Sequence, residues 1–199
     1  MKKLLLIITL GFFIFTETFA VKYNSEPKIF IEELVNDAIK TLSDKSISQA
    51  EKAAVIEKIA LENIDIYSLG LYTLGDIRKN LDKSNLDKYK KLFEKYFLKS
   101  LTSRLTEYSG SKFEVLGADQ KNSKYTIVNS RIYENTSQPE IKIDWRVYTK
   151  DPIKPLIRDL IVEGLSLAKT QKEEFSSILN SNNNDINFLF SKLEEFISK

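Results

Sequence analysis

Residues 157–193 read IRDLIVEGLSLAKTQKEEFSSILNSNNNDINFLFSKL, and the spacing of the apolar residues changes once within this stretch. The first six residues, IRDLIV, are mostly apolar and partly β-branched, which favours a strand. After Glu163 and Gly164, apolar residues recur at helical spacing as far as Leu179. A polar run at 182–185 then precedes a second apolar stripe that begins at Ile186. The stretch therefore predicts a strand, a glycine corner and two helices.

The chain before this stretch shows helical patterns first and strand patterns afterwards. Helix starts are predicted at residue 25 and at residue 46 or 48, with further helices over residues 66–81 and from residue 84 to near Gly110. Strands are predicted over residues 112–118, 124–134, 140–150 and about 156–162. Their short, turn-rich connections favour antiparallel neighbours.

The third predicted strand has two clearly different faces. Its apolar residues alternate with polar ones, so that Ile143 and Trp145 face one way while Asp144 and Arg146 face the other. The apolar side of such a sheet has to be covered, and helices from both ends of the chain are available to cover it. We therefore predict a single α+β domain, with a curved four-stranded antiparallel sheet under helices from both chain ends.

The N-terminus has the pattern of a secretory signal. Lys2 and Lys3 precede an uncharged run at residues 4–16, and small residues at Thr18 and Ala20 suit a signal peptidase. The uncharged run is shorter than the ~20 residues that a membrane-spanning helix needs, which makes a permanent anchor the weaker alternative. We predict that residues 1–20 are a cleaved signal peptide and that residues 21–199 form one domain. The sequence has no Cys, which excludes disulfides and attachment of lipid to a cysteine.

Charge and chemistry narrow the function. Without residues 1–20 the chain has 28 basic and 27 acidic residues, and the sequence shows no basic stripe that would favour nucleic acid as a partner. The chain has neither His nor Cys, so the commonest general base, metal ligands and thiol nucleophile are missing. Asp144, Asp159 and Glu163 could pair as carboxylates, but ion pairs of Asp144 with Arg146 and Arg131 are the better interpretation. We predict no enzymatic activity, no metal and no cofactor.

Several motifs, taken in order, resemble those of the MlaC family. The first is D-x-x-x-E-G-x-S, with Asp159, Glu163, Gly164 and Ser166 at its fixed positions. Leu74-Gly75 precedes an aromatic helix, and Tyr108-Ser109-Gly110 precedes the strands. Members of this family are periplasmic phospholipid-binding proteins, also known as toluene-tolerance proteins or as components of an ABC transport system.

The resemblance implies a function as well as a fold. It implies an NTF2-like cone with an extra helical part, located in the periplasm of a Gram-negative bacterium. It also implies a shuttle that carries phospholipid as cargo between an outer-membrane lipoprotein complex and an inner-membrane ABC transporter of the Mla type. Such a shuttle touches membranes transiently and maintains the lipid asymmetry of the outer membrane.

The apolar sheet face is the candidate binding site, because an apolar surface under amphipathic helices can hold hydrocarbon as well as form a core. The predicted pocket residues on the sheet are Phe113, Val115, Val128, Ile132, Ile141, Ile143, Trp145, Val147, Ile157 and Ile161. The residues predicted to close the pocket from the helices are Leu69, Tyr72, Phe93, Phe97 and Leu101. Two alternatives share these features: a binding protein for another apolar lipid, such as a hopanoid or sterol-like lipid, and a periplasmic chaperone or scaffold without lipid.

Overall fold

The computed structural model describes residues 23–105, 112–133 and 140–199. The helices are α1 (Pro27–Ser43), α2 (Gln49–Asn63), α3 (Ile66–Thr73), α4 (Lys83–Leu105), α5 (Leu167–Asn180) and α6 (Ile186–Ser198), with a short 3-10 helix at Gly75–Lys79. The strands are β1 (Lys112–Asn122), β2 (Tyr125–Tyr133), β3 (Ile141–Tyr148), β4 (Leu156–Val162) and β5 (Leu165–Ser166). Within the described ranges, no helix is long and apolar enough to cross a membrane.

The sheet is antiparallel throughout, in the order β1-β2-β3-β4-β5. The prediction of an α+β fold is confirmed, but the sheet has five strands instead of the predicted four. Glu163 and Gly164 both have positive φ angles, 49° and 81°, which is the geometry of a two-residue hairpin turn. The chain therefore turns back along β4, with Leu165 opposite Val162, before α5 begins. The glycine corner predicted from the sequence is a hairpin.

Side-chain caps set where most of the helices begin. Ser48 and Glu51 form a reciprocal capping box at the start of α2, and Asp185 caps α6. The helix predicted over residues 66–81 is split, because Gly75 has a φ of 64° and the chain continues as a 3-10 helix. The end of α4 predicted near Gly110 falls outside the described residues.

Most of the buried apolar side chains in the described ranges belong to one of two cores. The sheet core joins α1 to the sheet through Phe30, Ile31, Leu34, Val35, Val128, Trp145, Val147 and Ile157. The helical core joins α3, α4, α5 and α6 through Ile66, Leu74, Tyr89, Phe93, Phe175, Leu179, Ile186, Leu189, Phe190 and Leu193. Ile64, between α2 and α3, packs against both cores. In this fold α1 thus packs against the sheet, whereas α3, α4, α5 and α6 form a separate helical core.

Polar contacts at β4 attach the helices to the sheet. Asp65 donates its backbone N–H to the carbonyl of Ile157, at 2.9 Å. Its carboxylate accepts a hydrogen bond from the guanidinium of Arg158. The same carboxylate caps α3 by accepting a hydrogen bond from the backbone N–H of Ser68. The start of α3 is therefore fixed to the same strand that leads into α5.

Candidate functional site

The strand register places nine of the ten predicted pocket residues of the sheet on one surface. Cross-strand partners share a face, and the pairs Phe113 with Ile132 and Val128 with Trp145 show how the rows align. We call this surface the apolar face. It consists of Phe113, Val115, Val128, Ile132, Ile141, Ile143, Trp145, Val147 and Ile157, together with Leu160 and Val162.

Burial changes along the apolar face. Val128 and Val147 have 0% of their surface exposed, Ile157 has 2% and Trp145 has 9%. We call these four residues the closed end. The open end consists of half-buried residues: Phe113, Val115, Ile132, Ile141, Ile143 and Val162. The same strands therefore present a packed core at one end of the face and partly accessible hydrocarbon at the other.

One polar side chain lies between the two ends, and its hydrogen bonds are satisfied. Ser130 is 2% exposed. Its hydroxyl accepts a hydrogen bond from the indole N–H of Trp145 at 2.8 Å. The same hydroxyl donates to the carbonyl of Ile143 at 2.9 Å. Because both polar groups are paired, they can lie beside hydrocarbon without a large desolvation cost.

The prediction for Ile161 is wrong, because β4 contains a bulge. Arg146 pairs with Asp159 and Val147 pairs with Ile157, which leaves Arg158 as an extra residue. Ile161 consequently lies across from Asp144, on the polar side of the sheet. Leu160 and Val162 take its place on the apolar face, and the sequence alternation gave no sign of this change.

The predicted helical residues are divided among different surroundings. Phe93 is 2% exposed and lies in the helical core, where its ring contacts those of Tyr89, Phe97 and Phe175. Leu69 and Phe97 pack against the same core, and Leu101 is half-buried.

Tyr72 does not turn toward the sheet. It is 45% exposed, and its ring lies 5.3 Å from the ammonium nitrogen of Lys172. Both residues line a polar surface groove of about 490 Å³ between α3 and α5, together with Lys169, Glu173, Ser176, Ser177, Asn180 and Ser181. This groove is distinct from the apolar face.

The residues predicted to close the pocket include none from α1, although this helix packs against the apolar face. Phe30, Ile31, Leu34 and Val35 of α1 pack directly against the closed end. The amphipathic pattern of α1 correctly indicated a buried stripe. A pattern of that kind does not identify the surface that the stripe covers, because every amphipathic helix in the chain gives the same signal.

The motif D-x-x-x-E-G-x-S has a structural role. The carboxylate of Asp159 accepts hydrogen bonds from the Ser166 hydroxyl at 2.7 Å and from the Ala168 backbone N–H at 3.0 Å. Ser166 in turn caps α5, and Glu163 accepts a hydrogen bond from the backbone N–H of Lys142. The motif thus holds the hairpin and α5 against β4.

The carboxylates considered for catalysis have structural partners, and neither predicted ion pair of Asp144 is present among the residues that the structure describes. Asp144 accepts a hydrogen bond from the side-chain amide of Asn129 at 2.8 Å, whereas Arg131 pairs with Glu114 and Glu140. Arg146 lies 3.8 Å from Asp159. The register explains this arrangement, because Asn129 lies directly across from Asp144.

The protein is an α+β domain with a partly accessible apolar sheet face and a separate helical layer. Comparison with known proteins identifies its family. The chain belongs to the MlaC protein family, whose model matches residues 32–195. The fold is similar to that of a phospholipid-binding protein from Ralstonia solanacearum solved in complex with a phospholipid, with a TM-score of 0.71 and 13% sequence identity. The match covers 88% of this chain and 97% of that one. No protein of curated function matches the chain by sequence.

Proposed function

We propose that this protein binds a phospholipid and holds its acyl chains against the open end of the apolar face. The observation that carries this proposal is the change in burial along one continuous surface, from the packed closed end to the half-buried open end. Membership of the MlaC family and the phospholipid bound to the Ralstonia solanacearum protein support it. The headgroup stays near solvent in this arrangement, because its charge is costly to bury.

The energetics favour a carrier. Two acyl chains of about 15 methylenes each, at ~0.8 kcal/mol per CH₂, avoid on the order of 25 kcal/mol of contact with water. A lipid released into water would lose most of this free energy. Between a membrane and an apolar protein surface the transfer is nearly balanced, so a modest difference in affinity determines its direction.

The resemblance to the MlaC family supports a specific role for such a carrier. After cleavage of residues 1–20, the protein shuttles phospholipid across the periplasm, between an outer-membrane lipoprotein complex and an inner-membrane ABC transporter of the Mla type. The carrier has no enzymatic step, and phospholipid is its cargo. Through this exchange it maintains the lipid asymmetry of the outer membrane.

Native mass spectrometry of protein purified from a bacterial host tests the cargo. Bound phospholipid, identified again after extraction, is the expected result. A hopanoid or sterol-like lipid in the extract would replace the phospholipid proposal with one for another apolar ligand. Protein that purifies without any lipid would support a chaperone or scaffold.

Ile143→Glu tests the site. We expect copurified phospholipid to fall sharply, because a carboxylate placed against acyl chains costs several kcal/mol unless it is protonated. The thermal midpoint should fall less than it would for the same substitution at a fully buried position, since residue 143 is half-buried and the new side chain can reach water. Ile127→Glu is the matched control, because Ile127 is half-buried on the opposite side of the same sheet, across from Arg146. A variant at position 143 that folds and keeps its lipid would refute the proposed site.

A further inference from the structure

Positive charge is concentrated on α4. This helix contains seven basic and two acidic residues, whereas the whole chain has 30 basic and 28 acidic residues. The rest of the chain is therefore net negative by three. The sequence analysis found no basic stripe that would favour nucleic acid, and the total charge does not show the concentration on α4 because it averages this helix with an acidic remainder.

The lysines of α4 form a continuous stripe along its outer face. Lys88, Lys91, Lys95 and Lys99 are three or four residues apart, a spacing that places them on one side of a helix. Tyr89 and Phe93, on the opposite side, are 0% and 2% exposed in the helical core. We call the four residues the lysine stripe, which extends over roughly 16 Å at 1.5 Å per residue.

The middle of the lysine stripe is free to meet a partner. At its two ends, Lys88 forms an ion pair with Glu194 at 3.1 Å, and Lys99 donates to the carbonyl of Ile197 at 2.8 Å. Lys91 and Lys95 are exposed, and neither has an ion-pair partner among the residues that the structure describes. Two uncompensated ammonium groups thus project from a helix whose position is fixed by its aromatic side.

We propose that the lysine stripe docks this protein on membrane surfaces that contain anionic phospholipids. The stripe is a straight row of point charges without a pocket, which suits a planar array of headgroups better than a single small anion. Basic residues near an anionic bilayer each strengthen binding by about fivefold. The reason for meeting a membrane rests on the proposed function, since a lipid carrier has to reach a bilayer at each end of its path. The binding itself is independent of cargo.

The experiment measures cosedimentation of the full mature chain with two kinds of vesicle. One kind is phosphatidylcholine, and the other contains about a third phosphatidylglycerol. We expect the wild-type protein to prefer the anionic vesicles, and the preference to weaken as NaCl rises from about 0.05 to about 0.5 M. K91Q/K95Q should weaken binding to the anionic vesicles by about 25-fold, at about fivefold for each lysine.

K28Q/K58Q is the matched control. Lys28 on α1 and Lys58 on α2 are exposed helical lysines outside the stripe, so this variant loses the same charge. It should bind the anionic vesicles within about twofold of wild type, because its lysines lie away from the stripe. Copurified phospholipid and the thermal midpoint should be unchanged in both variants, which separates docking from cargo binding.

Two results of the vesicle experiment would overturn the proposal. One is a wild-type protein that binds both vesicle types equally. The other is an equal loss of vesicle binding in K91Q/K95Q and in K28Q/K58Q, which would reflect overall charge. Binding of duplex DNA in place of anionic vesicles, lost in K91Q/K95Q, would assign the stripe to nucleic acid. Absence of copurified lipid in the wild type would contradict the proposed function while leaving the vesicle result to stand separately.

Discussion

The closed and open ends of the apolar face are formed by the same strands and the same kinds of residue, yet they differ in burial. Ile157 at the closed end is 2% exposed, whereas Ile143 at the open end is half-buried. Both are isoleucines on the same face of adjacent strands. Ile157 belongs to the buried core that the sheet shares with Phe30, Ile31, Leu34 and Val35 of α1, whereas Ile143 packs against this core and stays partly exposed.

The apolar residues of the closed end stabilise the fold, whereas those of the open end remain available to a ligand. A side chain in a packed core contributes to stability through close contacts on all sides. A half-buried side chain contributes less to folding and leaves apolar area that a ligand can still remove from water. The two isoleucines provide matched positions at which this distinction can be measured.

The largest expected effect is that of Ile157→Glu. A carboxylate buried in the closed end, without a partner, should cost an amount comparable with the entire stability of a small domain, about 5 to 15 kcal/mol. We expect no folded protein by circular dichroism, in contrast to Ile143→Glu. If both variants fold equally well, or both fail to fold, the distinction between the two ends is wrong.

Replacing either isoleucine with alanine should destabilise the protein less than replacing it with glutamate. The change at position 157 should again cost more than the change at position 143. Ile157→Ala should lower the free energy of unfolding by about 2 to 5 kcal/mol, the usual cost of a cavity in a packed core. Ile143→Ala should lower it by about 1 kcal/mol in protein stripped of lipid, because less area is buried there. Urea denaturation of both variants provides the comparison, and equal losses would indicate that the open end is packed as tightly as the closed end.

Asp159→Ala tests the attachment of α5 at β4. The carboxylate is 2% exposed and accepts two hydrogen bonds, so its removal should destabilise the protein by about 2 to 4 kcal/mol. Asp185→Ala is the control, because Asp185 caps α6 at an exposed position and should cost only about 1 kcal/mol. Hydrogen exchange should show the loss of protection in α5 first. Equal destabilisation by the two variants would contradict a special role for Asp159.

The smallest effect is a pH dependence at Asp65. Burial alone would raise the pKa of this carboxyl, but hydrogen bonds from Ser68 and Arg158, together with the charge of Arg158, outweigh it and hold the pKa below its usual range. A lowered pKa in the folded state means that the carboxylate stabilises the fold fully above pH about 4, the ordinary pKa of Asp. This stabilisation is lost as the pH falls through the folded-state pKa.

Asp65→Asn is the variant that isolates this contribution. Wild-type stability should fall more steeply than that of Asp65→Asn as the pH decreases below about 4, measured by chemical denaturation at several pH values. Parallel curves for the two proteins would show that Asp65 does not stabilise the attachment of α3 to β4.

Much of the fold could be predicted, because local patterns specify local structure. The alternation in β3 correctly assigned Ile141, Ile143, Trp145 and Val147 to one face. The bulge at Arg158 was not predictable, because an extra residue in a strand leaves the apolar pattern nearly unchanged while it reverses the facing of Ile161. The fifth strand was missed because it has only two residues.

The sequence by itself determined the α+β class, the antiparallel order of the four longer strands, the apolar face and the resemblance to the MlaC family. Periodicity, turn residues and motif order are properties of neighbouring positions, so they can be identified without coordinates. The tertiary structure alone decided that α1 packs against the sheet core, that Phe93 belongs to a separate helical core, and that the lysine side of α4 faces outward. These features depend on which distant surfaces meet, and an amphipathic pattern does not specify its partner.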